Sequence, residues 1–113
     1  MSRKSDGEAA VVVLTTTADD DSARTLARSL VEERLAACVT RVPVRSTYRW
    51  EKICEDEEVL LVIKTARERA SDLERRILEL HPYECPEIVV LTAEHVEASY
   101  LSWLVAASTP ASE

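Results

Sequence analysis

The stretch Cys38-Val39-Thr40-Arg41-Val42-Pro43-Val44-Arg45-Ser46-Thr47-Tyr48-Arg49-Trp50 changes side at every residue. Val42, Val44, Ser46, Tyr48 and Trp50 fall on one face, and Arg41, Pro43, Arg45, Thr47 and Arg49 on the other, the period of a β-strand. Pro43 has no N–H for a ladder and marks a bulge or an edge stretch. At ~3.3 Å per residue such a strand spans roughly 40 Å. No helix elsewhere in the chain matches that reach, so the strand overhangs its own domain.

Working outward, Glu51-Lys52 and the acidic stretch Glu55-Asp56-Glu57-Glu58 read as a solvated turn, and Val59-Leu60-Leu61-Val62-Ile63 as a buried strand. Upstream, Ala10-Val11-Val12-Val13-Leu14 is a β-branched run expected to be a strand buried on both faces. Ala23, Leu26, Ala27, Leu30, Val31 and Leu35 then recur at helical spacing, with Thr17 as the expected N-cap and Asp19 to Asp21 favouring the positive end of the dipole. That helix covers only about 27 Å at ~1.5 Å per residue. Thr65-Ala66-Arg67-Glu68 fits a capping box opening a second helix, with Ala70, Leu73, Ile77 and Leu80 inward. Pro82 and Pro86 end it, Ile88-Val89-Val90-Leu91 reads as a fourth strand, and a short helix carries Tyr100, Leu101, Leu104 and Val105. The order βαββαβ plus a helix predicts an α+β, ferredoxin-like sandwich with a long central hairpin. Its domain is expected over residues 9–108, between tails at 1–8 and 109–113. Exposed hairpin edges usually pair, which predicts a homo-oligomer.

Composition closes several functional classes. The 113 residues contain one glycine, Gly7, so neither a dinucleotide turn nor a phosphate loop is available. A formal net charge of −7 repels phosphate backbones and argues against nucleic acid. No apolar run is long enough to span a membrane, and Cys38, Cys54 and Cys85 make an irregular, odd set. These features predict a cytoplasmic protein with reduced thiols. His81 and His95 are the only histidines and neither sits in a nucleophile motif, so no enzyme is expected. The soft and borderline metal donors are Cys38, His81, Glu84, Cys85 and His95, without a closed zinc spacing. Lys64, at the end of an apolar strand, is expected to pair with Glu84 or Glu87, and Tyr48, Trp50 and Tyr83 read as interface anchors or pocket walls.

Five segments in this order resemble the CutA family, also called divalent-cation tolerance proteins. They are Ala36-Ala37-Cys38-Val39, Ser46-x-Tyr48-x-Trp50, Glu57 to Thr65, His81-Pro82-Tyr83-Glu84-x-Pro86-Glu87-Ile88 and Tyr100-Leu101-x-Trp103-Leu104. The resemblance implies a compact homotrimer similar in architecture to the PII signalling proteins, with binding of copper(II) or another divalent cation. Carried over by position, Cys38, His81 and Glu84 would be metal donors, while Tyr48, Trp50, Lys64 and Tyr83 would lie at a cleft between subunits. A second reading, by analogy with PII, is a signalling or scaffold trimer that takes a small molecule in that cleft. Relatives commonly carry glycine after the second-strand proline and after the hairpin tryptophan; here Val44 and Glu51 stand there. A tip of altered geometry around Trp50 is therefore expected.

Overall fold

The structure is a computed structural model that describes residues 9–111. Its elements are β1 (Ala10–Thr17), α1 (Asp20–Glu32), β2 (Cys38–Trp50), β3 (Lys52–Ala66), a 3₁₀ turn (Arg67–Arg69), α2 (Ala70–Leu80), β4 (Val89–Thr92) and α3 (Ala98–Ala107). The strands form one antiparallel sheet in the order β2-β3-β1-β4, the arrangement that two interleaved split βαβ units require. The expected fold class is thus observed. The expected amino-terminal tail, 1–8, lies outside the described residues.

One face of the sheet is buried under α1 and α2. Val11 and Val13 of β1 and Val59, Leu61 and Ile63 of β3 pack against Ala23, Leu26, Ala27 and Leu30 of α1 and Leu73 and Ile77 of α2. Each buried Val, Leu or Ile among them contributes ~1.5–3 kcal/mol. The opposite face is covered only at one end, where Leu104 of α3 sits on Ala10, Ala37 and Ala66. Ser108 fastens that helix: its hydroxyl accepts from the Ala66 N–H at 3.1 Å and donates to the Leu104 carbonyl at 2.7 Å. β1 is therefore not buried on both faces along its length, since Val12 and Leu14 look onto the uncovered side and remain half-buried.

The overhang is present. β1 stops opposite β3 at the pair Thr17 and Val59, so residues 52–58 of β3 pair only with β2. The acidic stretch Glu55 to Glu58 is strand, not turn, because nothing between Lys52 and Glu58 breaks the alternation. The true tip is Glu51, which stands alone between the paired Trp50 and Lys52 at φ 68°. That left-handed conformation costs a non-glycine residue ~1–2 kcal/mol.

Local signals were overridden at both helix starts. Asp19, not Thr17, caps α1, accepting from the Ser22 N–H at 2.8 Å, while Thr17 is buried at the end of β1 and donates to the Asp19 carbonyl. Thr65 forms no capping box: it lies in β3 and its hydroxyl donates across to the Leu35 carbonyl at 2.7 Å. α2 instead starts from Arg69 without a side-chain cap. α1 ends in a Schellman motif, with Arg34 at φ 58° and the N–H of Leu35 on the Leu30 carbonyl. Arg34 holds a glycine position because its guanidinium also donates to the Ala106 and Thr109 carbonyls at the end of α3.

Two outcomes follow. The Thr15 hydroxyl is buried without a hydrogen-bond partner, so Thr15→Val should raise stability by about 1 kcal/mol in urea denaturation. The Ser22 N–H and hydroxyl hold the Asp19 carboxyl below its ordinary value of 3.8. Its contribution is present above about pH 4 and lost as pH falls through the lowered folded value. Between pH 6 and pH 3 the wild type should therefore lose more thermal stability than Asp19→Asn.

Candidate functional site

The uncovered face collects the side chains that carry chemistry. Because Cys38 pairs with Lys64 and Trp50 with Lys52, the even-numbered residues of β2 and β3 all point to that face. On the overhanging arm these are Val44, Ser46, Tyr48 and Trp50 opposite Glu58, Asp56, Cys54 and Lys52. At the body end they are Cys38, Thr40, Val42, Leu60, Val62 and Lys64. Val42, Tyr48, Trp50, Val89 and Leu91 are exposed, with Trp50 at 53%.

Along the arm, two tyrosine–carboxylate pairs lie close together. The Tyr48 hydroxyl donates to Asp56, and the Tyr83 hydroxyl donates to Glu58 at 2.7 Å. The Asp56 carboxylate pushes the Tyr48 phenol up to about 12, and burial followed by Glu58 raises that of Tyr83. Tyr83 arrives from the connection after α2, which His81 anchors. His81 is buried, its Nε2 lies 2.7 Å from the Thr16 carbonyl, and its Nδ1 accepts from the Tyr83 N–H at 3.1 Å. A carbonyl can only accept, so Nε2 carries the proton and both ring nitrogens are engaged. The rings of His81 and Tyr83 lie 4.7 Å apart, tilted at 57°. His81 thus ties the 81–88 connection to β1, and Tyr83 ties it to the arm.

The expected metal donors are not brought together within one subunit. Cys38 begins β2 on the uncovered face beside Tyr100, whose phenol is raised by burial and by Cys38. His81 and the exposed Glu84 sit at the far end of β1, and among the described residues no three His, Cys, Asp or Glu side chains group around one point. All three cysteines are free thiols. Of the expected cleft residues, Tyr48 and Tyr83 both reach carboxylates of the arm. Trp50 and Lys64 share the face but stand at opposite ends of the hairpin ladder. Lys64 does not pair with Glu84 or Glu87; its ammonium donates to the Thr40 hydroxyl at 2.6 Å and the Val62 carbonyl at 3.3 Å. Asp56 and Glu58 were missed as partners of the tyrosines. The signal available was the unbroken alternation of Cys54, Asp56 and Glu58 against Ile53, Glu55 and Glu57.

The Tyr48 pair can be read spectroscopically. The Tyr48 share of the tyrosinate ultraviolet band should develop only near pH 12, and Asp56→Asn should return it toward the ordinary value of 10.0. Titration of both proteins to high pH checks this.

Residues 11–107 match the family described as CutA1 divalent ion tolerance protein. A Thermus thermophilus protein named "Divalent-cation tolerance protein CutA" is 50% identical over 84 residues, covering 73% of this chain and 82% of its own. One of the same name from Escherichia coli O139:H28 is 39% identical over 106 residues, covering 92% and 95%. The structure of CutA from Synechococcus elongatus PCC7942 superposes with a TM-score of 0.88 at 34% identity, covering 90% of this chain and 92% of that one.

Proposed function

The chain belongs to the CutA1 divalent ion tolerance family, and we propose that it works as a homotrimer that binds copper(II) or another divalent cation in the response to metal ions. The observation that carries the assembly is the uncovered sheet face running onto a two-stranded arm. An isolated two-stranded ribbon is marginal in water, and this one presents Tyr48 and Trp50 at its end. Packing against a second and third copy gives both the arm and the exposed Val42, Val89 and Leu91 an apolar partner.

The relatives' names describe tolerance to cations and not a reaction. A net charge of −7 per chain concentrates cations, and three copies multiply the effect. Since the described residues of one subunit assemble no closed donor set, a bound ion draws ligands from more than one copy. Cys38 offers a sulfur on the uncovered face and Glu84 an exposed carboxyl group, the soft and hard donors of the set. His81, with both nitrogens engaged, acts as the residue that positions the connection bearing Tyr83 and Glu84. The cytoplasm, where thiols stay reduced, suits three free cysteines. Among the described residues no helix is long and apolar enough to cross a membrane.

Light scattering of untagged protein should give three times the 12.6 kDa chain mass. Calorimetry should show copper(II) binding at micromolar affinity or tighter, weakened about tenfold by Cys38→Ser or Glu84→Gln. His81→Ala should lower the melting temperature more than it changes affinity. Unaltered binding in both donor variants removes the site assignment, and a monomer at micromolar concentration removes the trimer.

A further inference from the structure

On the helix-covered side, beside the outer edge of β2, the sign of the charge reverses. Arg24 and Arg28 of α1 and Arg41 of β2 line one open groove of about 420 Å³, over a floor of Ala27, Val31 and Val39. Positions 24, 27, 28 and 31 fall on one flank of a helix by their i, i+3 and i+4 spacing, so α1 supplies two guanidinium groups and two floor residues from a single stripe. Glu32 is the one carboxylate on the lining, and Arg28 already holds it at 3.0 Å. Arg41 reaches the exposed Asp20 at 3.4 Å, a loose contact that an incoming oxyanion can replace. Among the described residues Arg24 makes no ion pair. Val31 stays 41% exposed beside these cations.

On the lining itself three cations stand against one carboxylate, an excess of two positive charges that falls to one while Asp20, just outside it, holds Arg41, on a chain whose net charge is −7. Guanidinium forks match the planes of phosphate and carboxylate oxygens alike, but the excess matches a dianion better than a monoanion. The apolar floor asks for a hydrocarbon body attached to that dianion, and the volume falls within the ~300–1,000 Å³ range of small-ligand clefts. We propose that this groove binds an organic phosphate monoester, its phosphate held by Arg24, Arg28 and Arg41 and its apolar body lying on Val31 and Val39. The site stands apart from the uncovered face and does not depend on metal binding.

Phenyl phosphate is the probe, titrated at low salt into isotope-labelled protein in its native assembly and followed by amide chemical shifts. The expected result is saturable movement of the Val31 and Val39 amides, with affinity at least fivefold weaker in Arg24→Gln. Arg75→Gln removes the same charge from α2, outside the groove, and should leave the affinity unchanged. Inorganic phosphate and phenol, the two halves of the probe's chemistry, should each bind at least tenfold more weakly. Val31→Ser should weaken phenyl phosphate but not inorganic phosphate. Among the described residues Arg24 has no ion pair to lose, so Arg24→Gln should melt with the wild type. No saturable shift at Val31 and Val39, an equal loss in Arg75→Gln, or inorganic phosphate binding as tightly as the ester would each overturn the proposal.

Discussion

One register governs this molecule. Cys38 opposite Lys64, carried without interruption to Trp50 opposite Lys52, decides for twenty-six side chains at once which face of the sheet each one meets. A one-residue slip that inverted β2 would drive Arg45 and Arg49 onto the face that now bears Tyr48 and Trp50. One that inverted β3 would instead pull Leu61 and Ile63 out of the core, where both are fully buried. The core therefore enforces the register at the body end, and the arm inherits it. The tyrosine–carboxylate contacts along the arm exist because the core, far from them, has fixed the count.

The two faces then divide the work. The odd face is covered by α1 and α2, whose last turns are joined by the fork of Arg76 on Glu33 at 2.9 and 3.1 Å, and it supplies stability. The even face keeps its functional groups because only α3 covers it, and only at one end. His81 belongs to neither layer. From a buried position it fixes the connection that crosses the end of the sheet, so that a tyrosine from the helical side reaches a carboxylate on the other.

Periodicity made the sheet and both core helices legible in the sequence, as it reports burial directly. Ala23, Leu26 and Leu30, and Leu73 and Ile77, lie inward as their spacing predicts. What could not be read were choices between local and distant hydrogen-bond partners. Thr65 satisfies a capping pattern in sequence, yet the Leu35 carbonyl, thirty residues away, takes its hydroxyl in a buried bond. Thr17 likewise points inward from a strand that runs three residues past its apolar run, leaving Asp19 to cap the helix. The acidic stretch misled by composition: four carboxylates read as a turn, while their alternation continued a strand that β2 alone supports. For the site, residue types were visible and their grouping was not. Cys38, His81 and Glu84 are donors by chemistry, but the ladder separates Cys38 from the other two within a subunit.

The overhanging arm also places the subunit's most accessible cleavage points. Arg45, Arg49 and Lys52 lie on a ribbon that no third strand of its own subunit shields, far from the helices that close over the core. A nick there would sever the hairpin while leaving every strand that the core holds in place.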